Sequence, residues 1–211
     1  MEKRDEPKKL IGISGKMGSG KDTVGDIIRI LTSGVLVSND TVEHTIKIST
    51  NITGWGSPWI IKKMAGKLKF VASILSGVPM HLFEDQEFKK QKMDPEWGDI
   101  TYREFLQKIG TDALRDKVHE EIWANSLFVD QNDDSQWIVT DVRFPNEAVA
   151  IKKRDGILIR VNTTRECVVS DHPSETSLDN YEDFDYVIDN SGTISELTGK
   201  IRGILVKEGL M

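Results

Sequence analysis

The chain has 211 residues, with 28 Lys and Arg against 34 Asp and Glu, giving a formal net charge of −6. That length fits one domain with room for an insertion and an ample core, and the acidic balance excludes the broad basic surface of a non-specific nucleic-acid binder. A single cysteine, Cys167, excludes an internal disulfide framework and a multi-cysteine metal site, and no apolar run reaches the roughly 18–20 residues that cross a bilayer.

The N-terminal MEKRDEPKK is mixed in charge and has no apolar stretch before Leu10. It does not read as a secretory signal, and its first residues are expected to fray. Leu10–Ser14 is a short apolar run that predicts a strand ending in glycine-rich sequence. Val24, Ile27, Ile28 and Leu31 then fall on one helical face, predicting a helix over about Lys21–Thr32. A second strand is expected around Thr45–Ile48, followed by the loop TNITGWGSP. From about Trp59 to Asn125 the chain reads mainly helical. Met64, Leu68, Val71, Ala72 and Leu75 recur at helical spacing, and Gly77 is their stop. DPEWGDITY reads as a loop, with Thr101 as helix cap and Glu104 completing a capping box. Glu104–Ile109 and Ala113–Trp123 give further helices. Trp137–Thr140 is a buried-type strand. Pro145 starts a helix to about Arg154, with Gly156 after it. Ile157–Val161 and Tyr186–Ile188 are strands, and Ile194–Val206 is the last helix. Strands alternating with helices predict a parallel sheet covered on both faces, an α/β fold with a helical insertion.

The stretch Gly15-Lys16-Met17-Gly18-Ser19-Gly20-Lys21-Asp22-Thr23 matches G-x-x-x-x-G-K after a strand and before a helix, the context of a P-loop. Glycines let the backbone turn successive N–H groups toward an anion, and the helix N-terminus adds its dipole. Lys21 reaches the β- and γ-phosphates of a nucleotide and follows charge in phosphoryl transfer. The residue after the lysine is Asp22 where Ser or Thr would hold Mg²⁺. Thr23, one position on, is expected to reach a phosphate oxygen or a metal-bound water instead. Asp141 ends the WIVT strand, where carboxyl ends of parallel strands line a ligand crevice. Its carboxylate can hold Mg²⁺ through water. Arg143, two residues on, can neutralise transition-state charge.

GKMGSGKDT, KIGTDALRD, VTDVRFPNEA, HPSETSLD and FDYVIDN, in that order, resemble the bacteriophage-type deoxynucleoside monophosphate kinases of the adenylate-kinase-like P-loop branch. The resemblance runs from about Lys9 to Val206. It implies a P-loop three-layer α/β/α core over about residues 8–50 and 126–211, a helical acceptor-binding insertion over about 51–125, and a lid over about 163–180. It places Gly15, Lys16, Gly18, Ser19, Gly20, Lys21, Asp22 and Thr23 in the ATP-phosphate loop. It makes Lys21, Asp141 and Arg143 the catalytic set. Lys69, in Lys67-Leu68-Lys69, and Arg115, in the Gly110-Thr111 element, become candidates to grip the acceptor monophosphate. Arg165 becomes a lid arginine. The implied cofactors are ATP and the Mg²⁺ it carries, with no confident direct metal ligand. The implied partners are small substrates, ATP and a nucleoside monophosphate, with no nucleic acid and no membrane. A homodimer and a cytoplasmic setting, the host's if phage-encoded, accompany the resemblance.

Other features carry less. His172 and Glu175 in HPSETSLD belong to a segment whose role the residues do not reveal, and His172 reads as a hydrogen-bonding group. Glu182, Asp183 and Asp185 read as solvated surface. Trp55, Trp59, Trp97 and Trp123 can stack on a base, but packing is the default. Cys167, between Glu166 and Val168, has no base partner to make it a nucleophile. The expected reaction is ATP-dependent phosphorylation of a (deoxy)nucleoside monophosphate for DNA synthesis. Two alternatives stay open. Animal phosphomevalonate kinases share a Gly-Lys-Asp loop, an Asp-x-Arg element and a late Leu-Asp-Asn segment like Leu178-Asp179-Asn180. A nucleotide-binding regulatory ATPase, or a degenerate P-loop holding nucleotide as a structural ligand, is a different class.

Overall fold

Leu10–Ser14 forms β1 and is buried at every position. The computed structural model describes residues 9–48, 56–132, 134–165 and 172–211. The N-terminal tail, Trp55 with most of the TNITGWGSP loop, Glu166, Cys167 and Val168 lie outside these residues. After β1 the chain forms α1 (Lys21–Leu31), α2 (Asn39–Ile48) and β2 (Trp59–Lys62). Later come β3 (Gln136–Val142), α7 (Pro145–Lys152), β4 (Ile157–Asn162), α8 (Pro173–Thr176), β5 (Tyr186–Asp189) and α9 (Ile194–Lys207). The five strands pair in the order β2-β3-β1-β4-β5, all parallel. The expected α/β fold is therefore present, with β1 at its centre.

Alternation along the strands sorts the two faces. Ile11, Ile13, Ile138, Ile157, Ile159 and Val161 pack with Val24, Ile27 and Ile28 of α1 and with Leu197 and Ile201 of α9. Gly12 and Leu158 face the other way, toward Ile151 of α7. A Cβ on Gly12 would lie 2.4 Å from Ile151 Cδ1, so glycine admits this helix close to the sheet. Helices thus cover both faces, and a strand that is buried on both faces reads as a continuous apolar run.

Three local expectations are corrected. Thr45–Ile48 is not a strand but the last turn of α2. Read alone, TIKI alternates like a strand. Val42, Thr45 and Ile46 have helical spacing, and Val42 is fully buried in the α1–α9 core. Ser38 starts the helix, its Oγ accepting from Thr41 N–H at 3.1 Å. The second strand is instead Trp59–Lys62, pairing at the sheet edge with β3. Four residues are too few to show a period. Third, Asp185 is more than solvated surface: it accepts from Leu158 N–H at 2.7 Å and pairs with Lys152 at 2.5 Å.

The chain divides into two compact units, Met1–Lys62 with Asn132–Met211, and Lys63–Gln131. The second unit is helical. α3 (Gly66–Ser76) ends at Gly77 in a left-handed turn, as expected. A 3₁₀ turn (Met80–Glu84) precedes α4 (Gln86–Lys90), and α5 (Tyr102–Gln107) carries the Thr101–Glu104 capping box. The helix then widens into a π-helix over Lys108–Val118, and α6 (Ile122–Phe128) follows. The expected α-helix over Ala113–Trp123 is thus π-helical to Val118 and broken at His119. Gly110 sits at the wide turn against Leu68, and its carbonyl accepts from Trp123 Nε1 at 2.8 Å. Ala72, Phe83, Met93 and Phe105 form the core of this unit.

Ile13 is fully buried on the central strand. Replacing it by Ala should cost about 2–5 kcal/mol through lost transfer energy and a cavity. Urea denaturation measures this, and a loss below about 1 kcal/mol would contradict the packing described.

Candidate active site

The glycine loop leaves the carboxyl end of β1 and closes on α1. Ser19 N–H donates to Lys16 O at 3.1 Å, and Val24 N–H donates to Gly20 O at 3.0 Å. Gly20 has φ +91°, and a Cβ there would meet Asn190 Nδ2 at 2.4 Å. At Gly15 a Cβ would lie 2.5 Å from Val161 O of β4. Asn190, just past β5, donates its buried amide to Ser19 O at 2.9 Å. It pins the loop from the side. No sequence pattern singled it out, although it closes the FDYVIDN stretch. Ser19 is buried, and its Oγ has no hydrogen-bond partner among the described residues.

Lys21 is half-buried at the start of α1 and donates from Nζ to Lys16 O at 2.8 Å. Burial pulls its pKa below the ordinary 10.5, and the nearby Arg143 charge pulls it further. Glu175, Asp22 and Asp141 oppose that shift. Asp22, at the position where Ser or Thr was expected, accepts from Thr140 Oγ1 of β3 at 2.8 Å. Thr23 is half-buried in the first turn of α1. Asp141 is buried at the carboxyl end of β3, one residue before the strand ends. Arg143 follows the strand. Its N–H donates to Glu147 Oε2 at 2.8 Å, and Phe144 N–H donates to the same oxygen at 3.2 Å. Glu147 is itself buried, so it fixes the turn from β3 into α7.

The HPSETSLD segment lies over this loop. Arg143 Nη1 pairs with Glu175 Oε1, and Met17 N–H donates to Glu175 Oε2 at 3.1 Å. Lys16 Nζ donates to Glu175 O at 2.8 Å and pairs with Asp179. Arg160 of β4 bridges Asp179 at 3.2 Å and Ser14 Oγ at 3.0 Å. His172 caps α8, its Nδ1 accepting from Ser174 N–H at 3.2 Å. These partners are far apart in sequence, and neither spacing nor composition pointed to them. Arg165 is exposed beyond β4, with Nη2 donating to Gly192 O.

On the second unit, Lys69 is buried on α3 and donates to Glu84 at 2.6 Å. Lys63 stands 3.7 Å from the other oxygen of Glu84. Burial would raise the Glu84 pKa, but the bond and charge of Lys69 hold it below the ordinary 4.5. Arg115 is half-buried on the π-helix, where it lines a concavity of about 480 Å³ together with Asp116, Lys117, Val118, His119 and Glu120.

This arrangement fits a polyphosphate. A glycine loop at the start of α1, a buried hydroxyl without a partner among the described residues and an ammonium disfavoured by burial can all be met by anionic oxygens. No three His, Cys, Asp or Glu side chains among the described residues cluster as metal ligands. No described helix is long and apolar enough to cross a membrane.

The family model for deoxynucleotide monophosphate kinase matches residues 59–201. The chain belongs to the deoxynucleotide monophosphate kinase family. A protein of Acanthamoeba polyphaga mimivirus, provisionally named deoxynucleotide monophosphate kinase, is 29% identical over 208 residues, spanning 91% of this chain and 93% of its own. The deoxynucleoside-5'-monophosphate kinase of Escherichia phage T5 is 35% identical over 88 residues, 37% of this chain and 35% of its own. As a member of this family the chain is a nucleotide kinase, a phosphotransferase, which decides against the phosphomevalonate-like and regulatory ATPase alternatives. The matched stretch contains Lys69, Arg115, Asp141, Arg143, Glu175 and Asn190, and the glycine loop precedes it.

Asn190→Ala removes the amide that pins Ser19 O. It should cost about 0.5–1.5 kcal/mol in stability and weaken nucleoside triphosphate binding by roughly fivefold, the equivalent of about 1 kcal/mol. Urea melts and calorimetric titration read both. Unchanged values in both would mean that Asn190 does not hold the loop.

Proposed function

We propose that the chain transfers the γ-phosphoryl group of ATP to the phosphate of a deoxynucleoside monophosphate, giving the diphosphate. The observation that carries this reading is Lys21, half-buried at the glycine loop beside Arg143, its proton held less tightly than in water. Family membership supports the acceptor class, and the printed names of both viral relatives agree with it. The same viral relatives support a setting in the host cytoplasm.

When bound, Mg²⁺-ATP would supply the transferable phosphoryl group, and its metal would offset phosphate charge. The loop from Gly15 to Thr23 takes the donor phosphates on backbone N–H groups, with the Ser19 hydroxyl as a further donor. Lys21 stays with the β- and γ-phosphates and meets the negative charge that develops on the leaving β-phosphate oxygen as its bond to the γ-phosphorus breaks. Arg143 neutralises the equatorial oxygens of the loose transition state. Asp141 and Thr23 would hold the metal through its bound water. Lys69 and Arg115 of the second unit grip the acceptor phosphate. Lys69 uses one of its three N–H donors on Glu84 and keeps the others for the acceptor. Arg165 serves as the lid cation. No strong general base is required, because a phosphate monoester is already ionised near neutral pH.

The test is an acceptor panel with ATP and Mg²⁺, offering each deoxynucleoside monophosphate, each ribonucleotide and phosphomevalonate. Diphosphate should form with deoxynucleotides and depend on their presence. Slow phosphate release independent of any acceptor would count against the kinase reading. Lys21→Ala should lower kcat by about 10²–10³-fold, the scale of losing one transition-state donor. Wild-type turnover in that variant would remove Lys21 from the chemistry.

A further inference from the structure

We propose that Glu175 is a positioning residue that holds Arg143 against the glycine loop and aims its guanidinium at the transferring phosphoryl group. The proposal rests on the reading of Arg143 as the residue that neutralises that group.

The Glu175 side chain is only 6% exposed, against 31% for that of Arg143. Both of its oxygens are engaged, and by different partners. Oε1 accepts from Arg143 Nη1, and Oε2 accepts from Met17 N–H at 3.1 Å. One side chain thus ties the residue after β3 to the loop after β1. Ser174 O adds a second acceptor for Nη1 at 3.3 Å. Every side-chain hydrogen bond of Arg143 to the described residues runs through Nη1. That leaves the Nε and Nη2 edge, a planar two-donor fork that matches two oxygens of a phosphate.

A positioning group must itself be fixed by something other than what it positions. Glu175 is. Pro173 opens α8, and His172 caps it through Ser174 N–H. Glu175 N–H donates to His172 O at 2.8 Å, and Ser177 N–H donates to Pro173 O at 3.0 Å. Four residues on, Asp179 is clamped by Lys16 and by Arg160, and Arg160 is fixed in turn by Ser14. Lys16 also grips the Glu175 carbonyl at 2.8 Å. The HPSETSLD segment is therefore anchored on the glycine loop and β4 independently of Arg143. The same carboxylate offsets the repulsion between Lys21 and Arg143, since it raises the Lys21 pKa where Arg143 lowers it. Two cations can then share one phosphate site.

The experiment is a double-mutant cycle with Glu175→Gln and Arg143→Ala, in steady-state assays with ATP and a deoxynucleoside monophosphate. Glutamine keeps an acceptor for Met17 N–H but drops the ion pair. It should lower kcat about 10- to 100-fold, the scale of a misaimed catalytic group. KM for each substrate should stay within about threefold. In the Arg143→Ala background the same change should cost less than about twofold. Thermal melts and calorimetric ATP binding confirm that each variant is folded. Glu175→Asp keeps the charge and should give a kcat between wild type and Glu175→Gln. If Glu175→Gln is not soluble, wild-type kcat in Glu175→Asp overturns the proposal. Additive losses, or wild-type kcat in Glu175→Gln while Arg143→Ala is impaired, overturn it and leave the Arg143 reading standing. Tighter ATP binding with unchanged kcat also overturns it, by marking Glu175 as an anion that nucleotide displaces. Wild-type kcat in Arg143→Ala brings down the Arg143 reading and this proposal together.

Discussion

Lys21 enters α1 with its ammonium drawn partly out of water and a guanidinium nearby, an arrangement that is unfavourable unless carbonyls and acids face it. Much of the surrounding structure meets that requirement. Lys16 O takes one N–H of Lys21, and Glu175, Asp22 and Asp141 supply opposing charge. Sheet order makes this possible. With β1 at the centre, β3 delivers Asp141 and Arg143 on one side, and β4 delivers Arg160 on the other. Asn190, beyond β5, reaches back to the loop itself. A cradle built and held before any anion arrives gains the full electrostatic benefit when one does, because little reorganisation remains.

The net charge of −6 gains meaning in this light. An acidic chain can still bind phosphates where cations converge, provided that its carboxylates are placed to hold those cations and not to cancel them. Lys16, Lys21, Arg143 and Arg160 all sit at the carboxyl ends of β1, β3 and β4, and Glu175 and Asp179 bridge three of them. Phosphoryl transfer through a loose transition state asks little of the protein beyond position and charge. The structure is rich in both.

Sequence reading succeeded where the information is local. The β1–loop–α1 unit, the Thr101–Glu104 box and the Gly77 stop are each decided within about a dozen residues. The apolar runs of β3 and β4 are buried on both faces and could hardly be missed. It failed where packing overrules a short pattern. TIKI became helix because Val42 is drawn into the α1–α9 core. Trp59–Lys62 became strand because β3 had an open edge. The π-helix around Gly110 answers to Leu68 and Trp123, and a single-helix pattern carries no trace of either. At the site, Asp141 and Arg143 were visible from their place at a strand end. The clasp between Arg143 and Glu175 joins residues 32 apart, and that between Asn190 and Ser19 joins residues 171 apart. Only the fold brings such pairs together.

Burial at the glycine loop holds the Lys21 pKa below 10.5, and a phosphate bound there would raise it again. Between the lowered value and 10.5, the folded chain has released a proton that the unfolded chain keeps, so this group's contribution to stability rises with pH across that window. A bound polyphosphate reverses the balance and draws the proton back. Calorimetric titration with ATP at alkaline pH below 10.5, in buffers of different ionisation enthalpy, measures the protons exchanged. Net uptake on binding, abolished by Lys21→Met, is the predicted result. No uptake, or uptake that persists in Lys21→Met, would contradict it.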